Sequence, residues 1–157
     1  MAAGNFICDK VQRALALLIQ QANPTLVPNE QIYKGIRNVT AASDESEESV
    51  RNLPCVNCIC QGADVLDGDI DGINWVAHAR VEIRSAADDT TEDQHHNRSM
   101  EIIDIIATDE IAVNLSNMLA DFTAFLFIPR TQTWEAQSRM WVTVFEFDVH
   151  CAGSDIA

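Results

Sequence analysis

Apolar residues recur at steps of three and four over residues 5–22, where Ile7, Val11, Leu15, Leu18 and Ala22 form a stripe that Ala14 and Ile19 widen. That period lays one face of an α-helix against a core. Asn5 stands where an N-cap belongs, and Asn23-Pro24 ends the helix, because the residue before a proline is pushed out of the α region. The pattern then changes. QIYKGI (31–36) has the make-up of a short strand and LPCVNCICQGADV (53–65) that of a longer one. INWVAHARVEIR (73–84) alternates, with Trp75, Ala77, Ala79, Val81 and Ile83 on one side and His78, Arg80, Glu82 and Arg84 on the other. GADVLDGDIDG, with Gly62, Gly68 and Gly72, is punctuated like a hairpin connection between the two.

Helical period returns after SAADD. Thr90 or Thr91 can cap a helix running to about Ala107, and Glu92 and Asp93 suit its dipole. Its apolar stripe (Met100, Ile103, Ile106, Ala107) starts late, so the first turns are expected to stand clear of the core. Thr108 opens a second helical stretch with Ile111, Leu115 and Met118 on one face. FTAFLFI (122–128) and MWVTVFEFDVH (140–150) close the chain as strands, joined by the eleven-residue connection PRTQTWEAQSR. In the last strand Trp141, Thr143, Phe145, Phe147 and Val149 share a face, yet Met140, Val142 and Val144 make the opposite face apolar too. A small antiparallel sheet is normally wet on one side, so a helix or another subunit is expected to cover that stretch. The order α-β-β-α(α)-β-β predicts one α+β domain over residues 1–157, a twisted antiparallel sheet of four to five strands with helices packed on one face. Residues 38–52, NVTAASDESEESVRN, are expected to be a solvated, mobile acidic loop within it.

Charge narrows the function. Asp and Glu number 24 against 10 Lys and Arg, a net charge of −14, and the pI is near 4.4. Such a surface repels phosphate backbones and anionic lipid, which argues against nucleic-acid grip or membrane attachment through charge. Asp9 and Lys10 interrupt the start where a signal peptide would be apolar, and LALLI (15–19) is too short to span a bilayer. Five cysteines, an odd number, fit a reducing cytosol better than a disulfide framework.

Candidate chemistry is sparse. CVNCIC (55–60) contains a C-x-x-C, but no second pair completes a tetrahedral zinc site and no helix start follows it, so its thiols are expected to be buried on a strand. DGDIDG (67–72) begins like a calcium loop, but its twelfth position is His78 instead of a bidentate Glu, which leaves an acidic hairpin tip. In DDTTEDQHHNRSME (88–101), Glu92 and His95 are spaced to share a helix face, half of a carboxylate-bridged metal site whose other half is missing. There is no G-x-S-x-G and no Gly-rich phosphate cradle, and no cofactor is implied.

In its order of elements the chain resembles the tail-terminator and head–tail completion (neck) proteins of long-tailed bacteriophages. The likeness is carried by ARVEIRSAADDTTEDQHHNRSMEIIDIIATDEIAVNLSN (79–117), with His95 or His96 early in a helix, IIDII (102–106), Leu115 or Leu119 late in the second helix, and WVTVFEFDV (141–149) as the closing strand. The resemblance implies a non-enzymatic virion protein, assembled in the host cytoplasm, whose protomers form a ring, commonly a hexamer. The ring would cap the tail tube, meet the tube protein and the head or neck connectors, and let DNA pass without binding it. A ring needs a heterologous interface, for which Trp134, Arg130, Arg139, Met140, Val142 and Val144 are the candidates, with acidic side chains lining the channel. Two rival readings are a small metal-dependent enzyme using His95, Glu92 and nearby carboxylates, and a cytosolic protein-binding module.

Overall fold

The computed structural model describes residues 6–35, 53–69, 72–88, 90–137 and 139–153. The acidic stretch 38–52 lies outside them, as does Asn5. Helix α1 spans Ile7–Gln21, and the residue at its N-cap is Phe6, which has no capping side chain. Its buried stripe includes Val11, Ala14, Leu15 and Ile19. Asn23 turns the chain out with a left-handed φ of 52°, a conformation asparagine tolerates better than most residues.

Five strands follow in one sheet: β1 (Ile32–Lys34), β2 (Cys55–Asp69), β3 (Gly72–Ala86), β4 (Phe122–Gln137) and β5 (Met140–Gly153). Helices α2 (Glu92–Ile106) and α3 (Ile111–Ser116) lie between β3 and β4 in the chain. The spatial order is β1-β2-β3-β5-β4. All neighbours are antiparallel except β1, which pairs parallel to β2 with Ile32 opposite Val56. The fold is therefore α+β, an open mixed sheet with its three helices on one face.

Two expected connections turn out to be strand. β2 continues through the glycine-rich stretch as far as Asp69, accommodating bulges between Cys60 and Gly62 and between Val65 and Asp67, so β2 and β3 form a long ribbon. The eleven residues expected to join the last two strands pair almost to their end, with Gln137 opposite Met140 and the turn at Arg139 (φ 61°). Polar residues suffice there because β4 is an edge strand and pairing needs only its backbone.

The core lies between the sheet and the helices. Val56, Cys58 and Cys60 from β2, Ala77, Ala79, Val81 and Ile83 from β3, and Phe145, Phe147, Val149 and Cys151 from β5 meet the buried stripe of α1. Each fully buried Leu, Ile or Phe contributes on the order of 1.5–3 kcal/mol of transfer free energy. Lys10 is buried in the same helix and reaches Asp121, whose main-chain oxygen and carboxylate accept from Nζ at 3.2 and 3.0 Å.

Candidate functional site

The helix start that combined Glu92, His95 and His96 is the natural place to look for chemistry. Thr91 caps α2 with a full capping box: its hydroxyl accepts from the Gln94 N–H, and the Gln94 side chain accepts from the Thr91 N–H. That cap fixes the rotation of the helix. The rotation buries His95 and turns Glu92 toward His96, 3.8 Å away, so Glu92 and His95 do not share a site. The expectation that the first turns stand clear of the core is also corrected: the buried face is His95, Ser99, Ile102 and Ile106, while Met100 is exposed.

His95 is accommodated by hydroxyls. Its Nδ1 lies 2.7 Å from Ser85 Oγ on β3 and its Nε2 2.8 Å from Thr143 Oγ1 on β5. Ser99 donates to Thr143 Oγ1 at 2.8 Å, and Arg98 donates to Ser85 Oγ at 2.6 Å. Burial, with the neighbouring Arg98 guanidinium and His96, lowers the His95 pKa to about 4. A neutral imidazole sealed between alcohols fastens the helix to the sheet. Its partners among the described residues are hydroxyls and not carboxylates, and none of its surface is exposed. Among the described residues no three His, Cys, Asp or Glu side chains converge as a metal-binding group.

The cysteines are likewise internal. All five are free and buried. Cys60 on β2 meets Cys8 of α1 and lies near Cys151 of β5, and burial raises its pKa first, with Cys8 adding to the effect. Burial pushes the Cys58 and Cys151 thiols up to about 12, which suppresses the nucleophilic thiolate.

The opposite face of the sheet holds a charged row. Glu82 accepts from Arg80 at 3.1 Å and from Arg84 at 3.0 Å, so two guanidinium groups share one carboxylate. Arg84 is 8% exposed, and its Nε and Nη1 have no hydrogen-bond partner among the described residues. Farther along, Asp148 accepts from Arg130 and lies 2.8 Å from His78 Nδ1, while His78 Nε2 is 2.7 Å from Asp64. The hydrogen bonds to Asp64 and then Asp148 raise the His78 pKa. For Asp148 burial is the largest influence and pushes upward, but Arg130 and His78 together outweigh it and hold the carboxyl below its ordinary range.

The six interface candidates divide accordingly. Met140 and Val142, at 6% and 3% exposure, are already buried within the chain, and Val144 is half-buried. Arg130 is committed to Asp148, and Arg139 pairs with Asp88 at 2.9 Å. Trp134 is 45% exposed and rests edge-on against His96, ring centroids 4.7 Å apart. Met100 of α2, also exposed, lies beside it, and farther along β4 Phe125, Leu126 and Ile128 are all exposed. Sequence reading missed these three because FTAFLFI is marked only as a strand. Its placement at the sheet edge was not legible locally. The start of β4 is pinned by α3, where Ser116 Oγ accepts from the Ala124 N–H at 2.8 Å and donates to the Ala124 carbonyl at 3.0 Å.

No family model matches the chain, and no curated protein matches it. A solved structure does share the fold: a chain of the "Virion of native gene transfer agent (GTA) particle" aligns with a TM-score of 0.59 at 11% identity, over 97% of this chain and 100% of that one.

Proposed function

We propose that this chain is a structural, non-enzymatic virion protein of phage-like particles, one that closes the tail tube and joins it to the head or neck. The observation that carries the reading is the end-to-end likeness to a chain of a gene transfer agent virion, with nothing of consequence left over on either side. The chemistry agrees with it: the buried histidine and thiols are internal, and Phe125, Leu126, Ile128 and Trp134 leave accessible apolar surface on an open sheet edge.

In this reading protomers associate head-to-tail into a ring, a hexamer, through a heterologous contact. Leu126 and Ile128, which pair with His150 and Asp148 and so face away from the helices, form one half of it with Arg130, Val144 and the buried Val142 of that face, while Trp134, Arg139 and Met140 stand only at its margin. In the same reading acidic side chains, in surplus at a net charge of −14, line the channel, where DNA slides without being held. The tail tube protein and the head or neck connectors are the partners, and the location is the assembled virion.

The test is particle assembly without the chain. Tails of unregulated length that fail to join heads are the expected outcome, restored by adding the purified protein and accompanied by a ring at the tail end in electron micrographs. Normal, joined particles formed in its absence would overturn the reading.

A further inference from the structure

A seam runs where the helices stop short of the edge strand. Two depressions follow one another along it. One, of about 440 Å³, lies between β4 and the α2–α3 junction and includes Phe125 and Asp109. The next, of about 370 Å³, lies between β4 and the middle of α2 and includes Trp134, Met100 and Asp104. Met100, Phe125 and Trp134 are 57%, 46% and 45% exposed, a density of accessible large apolar side chains that isolated surface residues do not reach.

The charge along this seam has one sign. Asp104 and Asp109 are exposed and have no ion-pair partner among the described residues, and no Lys or Arg lines either depression. Apolar floor and acidic rim together specify a complement. We propose that the seam is a docking groove for an apolar segment flanked by Lys or Arg, supplied by a different protein and not by a second copy of this chain.

Two features choose that occupant. The most prominent exposed aliphatic pair elsewhere, Val65 and Leu66 on the β2–β3 ribbon, sits between Asp64 and Asp67, so seating it here would bring carboxylates against carboxylates. The free edge of β4 is also a poor template for a continuous added strand. Pro129 supplies no N–H, and the ladder is displaced between Ala124 and Leu126 and again between Pro129 and Thr131. A partner therefore inserts side chains into the seam instead of extending the sheet.

The inference does not depend on ring formation and is measured on the isolated chain. The probes are three short fluorescein-labelled peptides of equal length, alternating Leu with Lys, Leu with Glu, and Ser with Lys, read by anisotropy at low and high salt. The Leu–Lys peptide should bind, quench Trp134 fluorescence and weaken with salt. The Ser–Lys and Leu–Glu peptides should bind at least about tenfold more weakly, each lacking one half of the recognition. Asp104→Lys should cost the Leu–Lys peptide about tenfold and admit the Leu–Glu peptide. Trp134→Ser, with the fold checked by circular dichroism, should weaken the Leu–Lys peptide as well. Equal binding of Ser–Lys and Leu–Lys, binding of no peptide, or indifference to both substitutions would each overturn the proposal. So would self-association of the unliganded chain that Asp104→Lys abolishes, since the occupant would then be a second copy.

Discussion

Acidification should loosen the attachment of α2 to the sheet through one imidazole. His95 is fully buried, hydrogen-bonded on both nitrogens to hydroxyls, and its pKa is lowered to about 4. In the unfolded chain an ordinary histidine titrates near pH 6.5. The folded value is the lower one, so the unfolded state binds more protons between these limits. The contribution is fully present above about pH 6.5 and is lost as pH falls toward the folded value near 4. From these two constants the loss is about 1.4 kcal/mol at pH 5.5 and about 2.5 kcal/mol at pH 4.5. For a chain of this size the latter lowers Tm by roughly 5–10 °C.

The perturbation that isolates the effect is His95→Gln, which keeps a donor and an acceptor but cannot take a proton. Urea unfolding of both proteins from pH 7 to pH 4.5 gives two stability curves. The variant should start lower, because its geometry to Ser85 and Thr143 is imperfect. Its difference from the parent should then shrink by about 2.5 kcal/mol across the range. Contributions of the carboxylates and of His78 cancel in that difference. A parent–variant difference that stays constant with pH would refute the reasoning, as would an NMR titration of His95 with a midpoint near that of a free imidazole.

Three further outcomes follow from the same geometry. His78 carries the opposite sign: its raised pKa means that its contribution is present below about pH 6.5 and disappears as pH rises through the folded value, so Asp148→Asn should move the NMR midpoint of His78 down and flatten that alkaline loss. The thiols should resist modification in the folded protein, since thiols raised to about 12, as Cys58 and Cys151 are, hold on the order of a thousandfold less thiolate than an ordinary cysteine. Fast stoichiometric reaction of either with Ellman's reagent before unfolding would contradict the burial. Thr91→Ala removes the acceptor that Gln94 N–H uses at 3.2 Å and should cost about 1 kcal/mol in urea titrations, and an unchanged midpoint would mean that the capping box contributes nothing.

Much of the fold is legible because periodicity reports which side of an element is dry. The alternation from Trp75 to Ile83 places Ala77, Ala79, Val81 and Ile83 in the core, and the three- and four-residue steps of α1 mark its buried face. The misreadings have two causes. In α2 the buried stripe passes through His95 and Ser99, which a hydrophobicity pattern counts as wet. They are tolerated because Ser85 and Thr143, distant in sequence, supply their hydrogen bonds. The second half of β4 reads as a polar connection, yet pairs along β5. In the first case the deciding partner, Thr143, is far along the chain; in the second it is the next strand of a hairpin, whose backbone pairing a side-chain pattern does not report.

The same nonlocality governs the candidate interface. Residues 140–144 look surplus in sequence because they are apolar on both sides, but β5 lies inside the sheet, between β3 and β4. Val142 stands opposite Arg84 on one flank and Glu135 on the other, and these neighbours leave little of it to water. An interior strand needs apolar residues on its own account. FTAFLFI, which the sequence marks as a strand without its place in the sheet, is the edge, and the cost of leaving it open falls on Phe125, Leu126 and Ile128. Pro129 and the two bulges then make sense as guards: they break the edge where uncontrolled strand pairing would begin, while leaving the side chains beside it free to meet a chosen partner. Phe125, Leu126 and Ile128 stand outside the core cluster, whereas Phe127 between them packs against it, so this part of the strand keeps its fold through one aromatic and leaves the other three to the contacts proposed above.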